Sequence, residues 1–232
     1  MRDSGVDRVV VVVPARDEED TIEAAVAAVQ VAATLVAPRP VEMVVVANGC
    51  SDATAHRAAR AGAQVLVSGT ASVGAARALG VATVLGAGHD LDHTWISTSD
   101  ADSVVPPGWL QAQVAAAERG ADLFLGTVEL EPAEAERHRG WVARYALGRP
   151  ASGHGHVHGA SLGVRASVYA RVGGFTPLEA HEDVDLVHRL LAAGARPEWA
   201  VDVPVRTSAR HRSRVLGGVG SDLAASALEA QP

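Results

Sequence analysis

Five consecutive valines, Val9 to Val13, follow Arg8 and stop at Pro14. A β-branched run without polar alternation makes a strand that has no wet face, so both of its faces must be covered by other elements. Helices on either side of a mainly parallel sheet are the usual solution. The following segments keep that rhythm. "DEEDTIEAAVAAV" carries acids in its first turn and Ile22, Val26 and Val29 at helical spacing. "VEMVVVAN" is a second buried strand, residues 52 to 61 a helix, "AQVLVS" a third strand, "SVGAARALGVATVL" a helix and "HTWIST" a fourth strand. Strands alternating with helices of this length predict βαβ units, with ligand-binding connections at the carboxyl ends of the strands.

The rhythm changes after about residue 128. "PAEAERHRGWVARYALG" reads as an amphipathic helix, and "GHGHVHGASLGV" as part loop, part strand. "HEDVDLVHRLLAAGARP" reads as a helix with Val184, Val187, Leu190 and Leu191 on one side and Gly194 at its end. "RTSARHRSRVLGGVGSDL" is basic, then Gly-rich, and the last stretch, 216–232, is expected to be mobile. Without an internal repeat or linker, the expectation is one domain over 1–232. Its ligand-binding first half would span about 8–128 and its variable second half about 129–215.

Bulk properties remove several function classes. All 20 basic residues are Arg, and the net charge of -7 gives no electrostatic basis for binding nucleic acid. Cys50 is the only cysteine, which rules out a disulfide framework and a Cys-based zinc site and fits a reducing compartment. The valine run is too short for a signal-peptide core or a membrane span, so a cytoplasmic protein is expected.

Several short motifs have a chemical reading and a plainer one. In "SDAD", Asp100 and Asp102 would face the same way if the segment is extended, and two carboxylates with substrate phosphates suit magnesium or manganese. On spacing alone, a polar turn before Pro106 and Pro107 is the commoner case. "PARDEE" could offer backbone N–H groups and Arg16 to a phosphate or base, or could simply start a helix. In "ANGCSDAT", Asn48-Gly49 is a turn dipeptide and Ser51 or Asp52 an N-cap, while Asn48 could meet a nucleobase edge. Arg77 could grip a diphosphate or be a solvated helix arginine. Glu182 and Asp183 at a helix start could compensate the dipole, or Asp183 could act as general base. His154, His156 and His158 would share a face if extended and could bind a metal, but more often line a polar loop.

Taken in order, these motifs resemble the family 2 glycosyltransferases of the GT-A fold, over most of residues 8 to 215. "VVVPARDEE" is similar to the family's opening strand and turn, and "NGCSDAT" to its nucleotide-contacting turn. "GAARALG" resembles its helix with a diphosphate arginine, and "DAD" followed by "PPGWL" its DxD and helix start. "GASLGVRASVYARVGGF" and "HEDVDLVHRL" resemble its two later motifs. The resemblance implies a Rossmann-like α/β domain with a mainly parallel sheet flanked by helices. It also implies inverting transfer of one sugar from a nucleoside-diphosphate sugar to a small-molecule or lipid-linked acceptor, with a divalent ion, Mn2+ or Mg2+.

The same resemblance assigns roles to residues. Pro14, Ala15, Arg16 and Glu18 would line the nucleotide pocket, Asn48 would contact the base and Arg77 the diphosphate. Asp100, with Ala101 beside it, would face the ribose, and Asp102 would bind the metal, helped by His211 with Arg210 and Arg212 near the phosphates. Asp183 would deprotonate the acceptor, with Glu182 orienting acceptor or donor sugar. Asn48 and Ala78 stand where the family often has Asp and Asn, which bears on the base and the diphosphate pocket rather than the reaction class. A retaining GT-A enzyme, a non-catalytic relative and a nucleotidyltransferase are the alternatives. The last would want a Gly-rich loop after the first strand, where "PARDEE" has no glycine. A homodimer stays open.

Overall fold

The computed structural model describes residues 5–69, 72–86, 88, 90–147, 154–209 and 223. Strands β1 (Arg8–Ala15), β2 (Val41–Asn48), β3 (Gln64–Ser68) and β4 (Thr94–Thr98) alternate with helices α1 (Ile22–Thr34), α2 (Thr54–Arg60) and α3 (Val73–Leu85), as the valine runs predict. There follow β5 (Ser103–Val104), α4 (Trp109–Glu118), β6 (Leu123–Leu130), α5 (Pro132–Arg137) and α6 (Arg139–Leu147). The last elements are β7 (Leu162–Arg165), α7 (Ala166–Arg171), α8 (Glu182–Ala192) and β8 (Pro197–Thr207). One sheet runs β3-β2-β1-β4-β7-β6-β8-β5. Its first four strands pair in parallel, and β7 joins them antiparallel on β4. β6 pairs antiparallel with β7 and parallel with β8, and β5 pairs antiparallel with β8. The sheet is therefore mainly parallel, with helices on both faces.

The valine run divides as its period demands. Val9, Val11 and Val13 pack with Ile22, Val26 and Val29 of α1 on one face. Val10 and Val12 pack with Ala76, Val81 and Val84 of α3 and Leu186, Val187 and Leu190 of α8 on the other. Each fully buried valine contributes about 1.5 kcal/mol or more, so the two-faced run anchors the fold. On α8 the buried side holds Leu186 where Val184 was expected, and Val184 is only partly buried. Gly194 follows that helix at φ +81°, the left-handed position expected of it.

Two close approaches set α3 in place. A Cβ on Gly80 would lie 2.5 Å from a Val12 methyl, so the helix backbone rests on the sheet. A Cβ on Gly74 would lie 2.1 Å from the Thr176 carbonyl oxygen, so the segment leading to α8 crosses the helix start. These contacts bring α3 and the start of α8 to the carboxyl edge of β1, β2 and β4. There Ala15 is in register with Ala47, and Val12 with Thr98.

Candidate active site

The loops after β1 and β2 are sewn together. Asp17 adopts a left-handed backbone (φ 52°), and its Oδ1 accepts from the Ser51 amide at 2.6 Å and the Ser51 hydroxyl at 3.1 Å. The Ser51 amide bond holds the Asp17 carboxyl below its ordinary value. The Glu18 amide donates to Thr54 Oγ1 at 2.7 Å, and the Glu19 amide to Asp52 Oδ2 at 3.1 Å. Asp52 Oδ1 in turn accepts from the Thr54 amide at 2.9 Å. The polar residues of "PARDEE" and "NGCSDAT" thus satisfy one another's backbone and fix the rim. On it Arg16 is exposed, Pro14 and Glu18 are half-buried, and Ala15 and Asn48 are buried. Asn48 Nδ2 donates to the Ser72 carbonyl at 3.3 Å, which ties the rim to the start of α3.

Arg77 is paired with two carboxylates. Its side chain is only 3% exposed. Nη2 donates to Asp100 Oδ1 at 2.5 Å, Nη1 donates to Glu182 Oε1, and the guanidinium lies 5.8 Å from the centre of the Phe175 ring. Glu182 is buried with it, so its carboxylate serves this ion pair. One cation therefore faces Asp100 and Glu182, with Asp183 and Glu18 close enough to act on Asp100. Withdrawal from water pushes the Asp100 carboxyl above its ordinary value; Arg77 opposes this, and the Asp183 and Glu18 charges reinforce it. Asp100 nonetheless keeps 36% of its side chain open to solvent.

The "SDAD" segment is not extended. The Ser103 amide donates to the Asp100 carbonyl at 3.1 Å, closing a turn in which Ala101 is buried and Asp102 half-buried. The same-face argument from strand spacing therefore does not apply; the turn and the Arg77 pair position these carboxylates instead. The residues fit a hard divalent ion. The carboxylates around Arg77 outnumber its single charge, Asp100 is pushed toward its neutral form, and oxygen donors at an open turn leave room for phosphate ligands. Among the described residues, the three-ligand grouping is a different one, Asp17, Cys50 and Asp52, whose carboxylates already serve the loop amides. His211, Arg210 and Arg212 lie outside the described residues.

Asp183 stands at the second position of α8, after His181 in a left-handed backbone (φ 60°). Its Oδ2 accepts from the Gly159 amide at 2.7 Å and its Oδ1 from the Val184 amide at 2.8 Å. Gly159 also lies against Arg77, where a Cβ would come within 2.3 Å of the guanidinium. Behind it, Tyr145 Oη accepts from the Val128 amide and sits 3.0 Å from His158 Nε2. Burial pushes His158 down to about 4, against the pull of Asp183 and with help from His156 and His154.

The histidine trio does not converge on a metal. His154 bonds the Leu125 carbonyl oxygen and accepts from the His156 amide, His156 bonds the Tyr145 carbonyl oxygen, and the rings stack beside Tyr145. Sequence reasoning missed Gly159, Phe175, Thr98 and Tyr145 as parts of the site. Only "GASLGV" and "GGF", already placed in family motifs, could have pointed to the first two.

A carboxylate-rich edge thus lies beside two strand-end loops at the carboxyl ends of a mainly parallel sheet, the edge at which open α/β sheets bind ligands. The chain matches the family model for glycosyl transferase family 2 over residues 10–152 and belongs to that family. No curated protein sequence matches it. Among solved structures it resembles S. aureus TarS 1-349 in complex with UDP-GlcNAc, at 15% identity and a TM-score of 0.63, over 92% of this chain and 60% of that one. It also resembles the mannosyltransferase PcManGT from Pyrobaculum calidifontis in complex with GDP-Man and Mn2+, at 18% identity and TM-score 0.64, over 89% and 58%. A third is glucosyl-3-phosphoglycerate synthase from Mycobacterium tuberculosis with Mn2+, UDP and phosphoglyceric acid, at 20% identity and TM-score 0.59, over 97% and 79%. At these identities the likeness establishes the GT-A fold. The chain spans about 60% of the length of the first of these structures. Among the described residues, no helix is long and apolar enough to cross a membrane.

Proposed function

We propose that the chain transfers one sugar from a nucleoside-diphosphate sugar to an acceptor hydroxyl with inversion, Asp183 acting as general base. The observation that carries the reading is Asp183 itself. Its carboxylate is held by two backbone N–H donors beside the Arg77–Asp100–Glu182 cluster, at the edge where the nucleotide loops end.

The rim formed by Pro14, Ala15, Arg16, Glu18 and Asn48 receives the nucleotide, with Asp100 and Ala101 toward the ribose. Arg77, paired with Asp100 and Glu182, approaches the diphosphate, and Glu182 beside it orients acceptor or donor sugar. Asp102, alone or with Asp100, would hold Mn2+ or Mg2+, which supplies charge neutralisation on the departing diphosphate. Asp183 takes the acceptor's proton as its oxygen bonds the anomeric carbon and the bond to the diphosphate breaks. About 8–128 serves the donor and about 129–215 the acceptor, a small molecule or a lipid-linked one.

The test uses Asp183→Asn. This variant binds donor and metal normally, while transfer falls at least about 100-fold, the lower end of what a positioned proton-transfer group contributes. NMR of the product's anomeric configuration reads the stereochemistry. A retained configuration, or full activity of Asp183→Asn, overturns the assignment.

A further inference from the structure

We propose that Thr98 and Gly159 are positioning residues for Asp183, forming a hydrogen-bonded line from the end of β4 to the base. This rests on the reading of Asp183 given above. Of the two amides that hold its carboxylate, Val184 belongs to the same helix and moves with it. The Gly159 amide, 2.7 Å from Oδ2, comes from a different element and fixes the carboxylate relative to the sheet.

Gly159 is itself held on two sides. Its carbonyl oxygen accepts from the buried Thr98 hydroxyl at 2.7 Å. Its α-carbon lies against the Arg77 guanidinium, with a Cβ position only 2.3 Å from Nη2, so a side chain has no room there. The Ser161 amide closes the turn on the His158 carbonyl at 3.0 Å. Thr98 stands two residues before Asp100, and Arg77 pairs with Asp100. The strand that presents the donor-side carboxylate is therefore linked to the base through one residue, whose N–H and C=O lie in successive peptide units. With one lone pair of each Asp183 oxygen already taken by an amide, the remaining ones point in set directions, and the acceptor proton is received along one of them.

The probes are UDP-GlcNAc and GDP-mannose with Mn2+, using water as acceptor and following release of the nucleoside diphosphate. The water oxygen bonds the anomeric carbon, the carbon–oxygen bond to the diphosphate breaks with its electrons going to the diphosphate, and Asp183 takes the water's proton. Thr98→Val removes the hydroxyl at nearly constant shape, and Thr98→Ser restores it. Thr98→Val is expected to keep donor affinity and to lose about 10- to 100-fold in kcat, the scale of a misplaced catalytic group. Thr98→Ser is expected to recover most of that loss. Wild-type kcat in Thr98→Val, or a loss confined to donor affinity, overturns the proposal.

A second readout needs neither turnover nor that variant. In 15N-labelled wild-type protein the Gly159 amide proton, bonded to a carboxylate, is expected downfield and to move upfield in Asp183→Asn. An unmoved resonance overturns the proposal. Full turnover in Asp183→Asn, by contrast, sinks the base assignment, and it does so whether or not the amide resonance moves.

Discussion

Replacing Arg77 with Met tests whether the ion cluster organises the site. The substitution leaves Glu182, whose side chain is 5% exposed, as a buried charge without its cation. Removing one partner of a buried pair typically costs about 3–5 kcal/mol, because the surviving charge stays desolvated. Asp100 adds little, since 36% of its side chain reaches water and solvent screens it. At roughly 2–4 °C per kcal/mol for a chain of this size, Tm should fall by roughly 10 °C. The assay is urea unfolding at neutral pH of wild type, Arg77→Met, Glu182→Gln and the double variant. The double variant should recover part of the loss, because neutral Gln no longer needs the guanidinium, which gives a positive coupling between the sites. A loss below about 1 kcal/mol for Arg77→Met, in the range of a surface pair, would falsify the cluster as a structural unit. Strictly additive effects of the two changes would do the same.

Further outcomes follow from the site's other contacts. His158 titrates near 4 when folded and 6.5 when unfolded, so between these values the unfolded state binds more protons and stability falls as pH drops. The effect is at most about 3 kcal/mol, complete by about pH 4, and His158→Gln should flatten that part of the stability–pH curve; an unchanged slope contradicts a buried neutral imidazole. Thr54→Val deprives the Glu18 amide of its acceptor and should cost about 1–3 kcal/mol, with faster hydrogen exchange at Glu18 as the local signature. Unaltered exchange there would show that the rim does not depend on the two loops being sewn together.

The first half of the fold was legible because parallel strands covered on both faces leave uninterrupted runs such as Val9–Val13. The second half was not. β8, Pro197–Thr207, holds two prolines and three charged residues and is mostly half-buried or exposed, so it carries neither a continuous run nor a clean alternation. β6 contains Gly126, where a Cβ would sit 2.1 Å from Ser161 Oγ, and its register with β8 shifts at that point, so the pairing depends on a contact across the sheet. The site showed the same division. Asp100, Asp102, Glu182 and Asp183 stand out as residue types at strand and helix ends. Arg77 could not be given its partners, since Glu182 lies 105 positions away and an isolated helix arginine reads as solvated. The alternating histidines suggested one metal-facing side, but the fold offered each ring a protein partner, and stacking on Tyr145 prevailed.

The central claim is that the edge formed by β1, β2 and β4 binds a nucleoside-diphosphate sugar through a divalent ion at the Asp100–Asp102 turn. Thermal unfolding with UDP-, GDP- and TDP-sugars, each with and without Mn2+, tests it directly. One nucleotide class should raise stability by about 2.7 kcal/mol at a hundredfold excess over its Kd, and only when the metal is present. Asp102→Ala should abolish that shift. No response to any nucleotide under either condition, or an undiminished response in Asp102→Ala, contradicts the account.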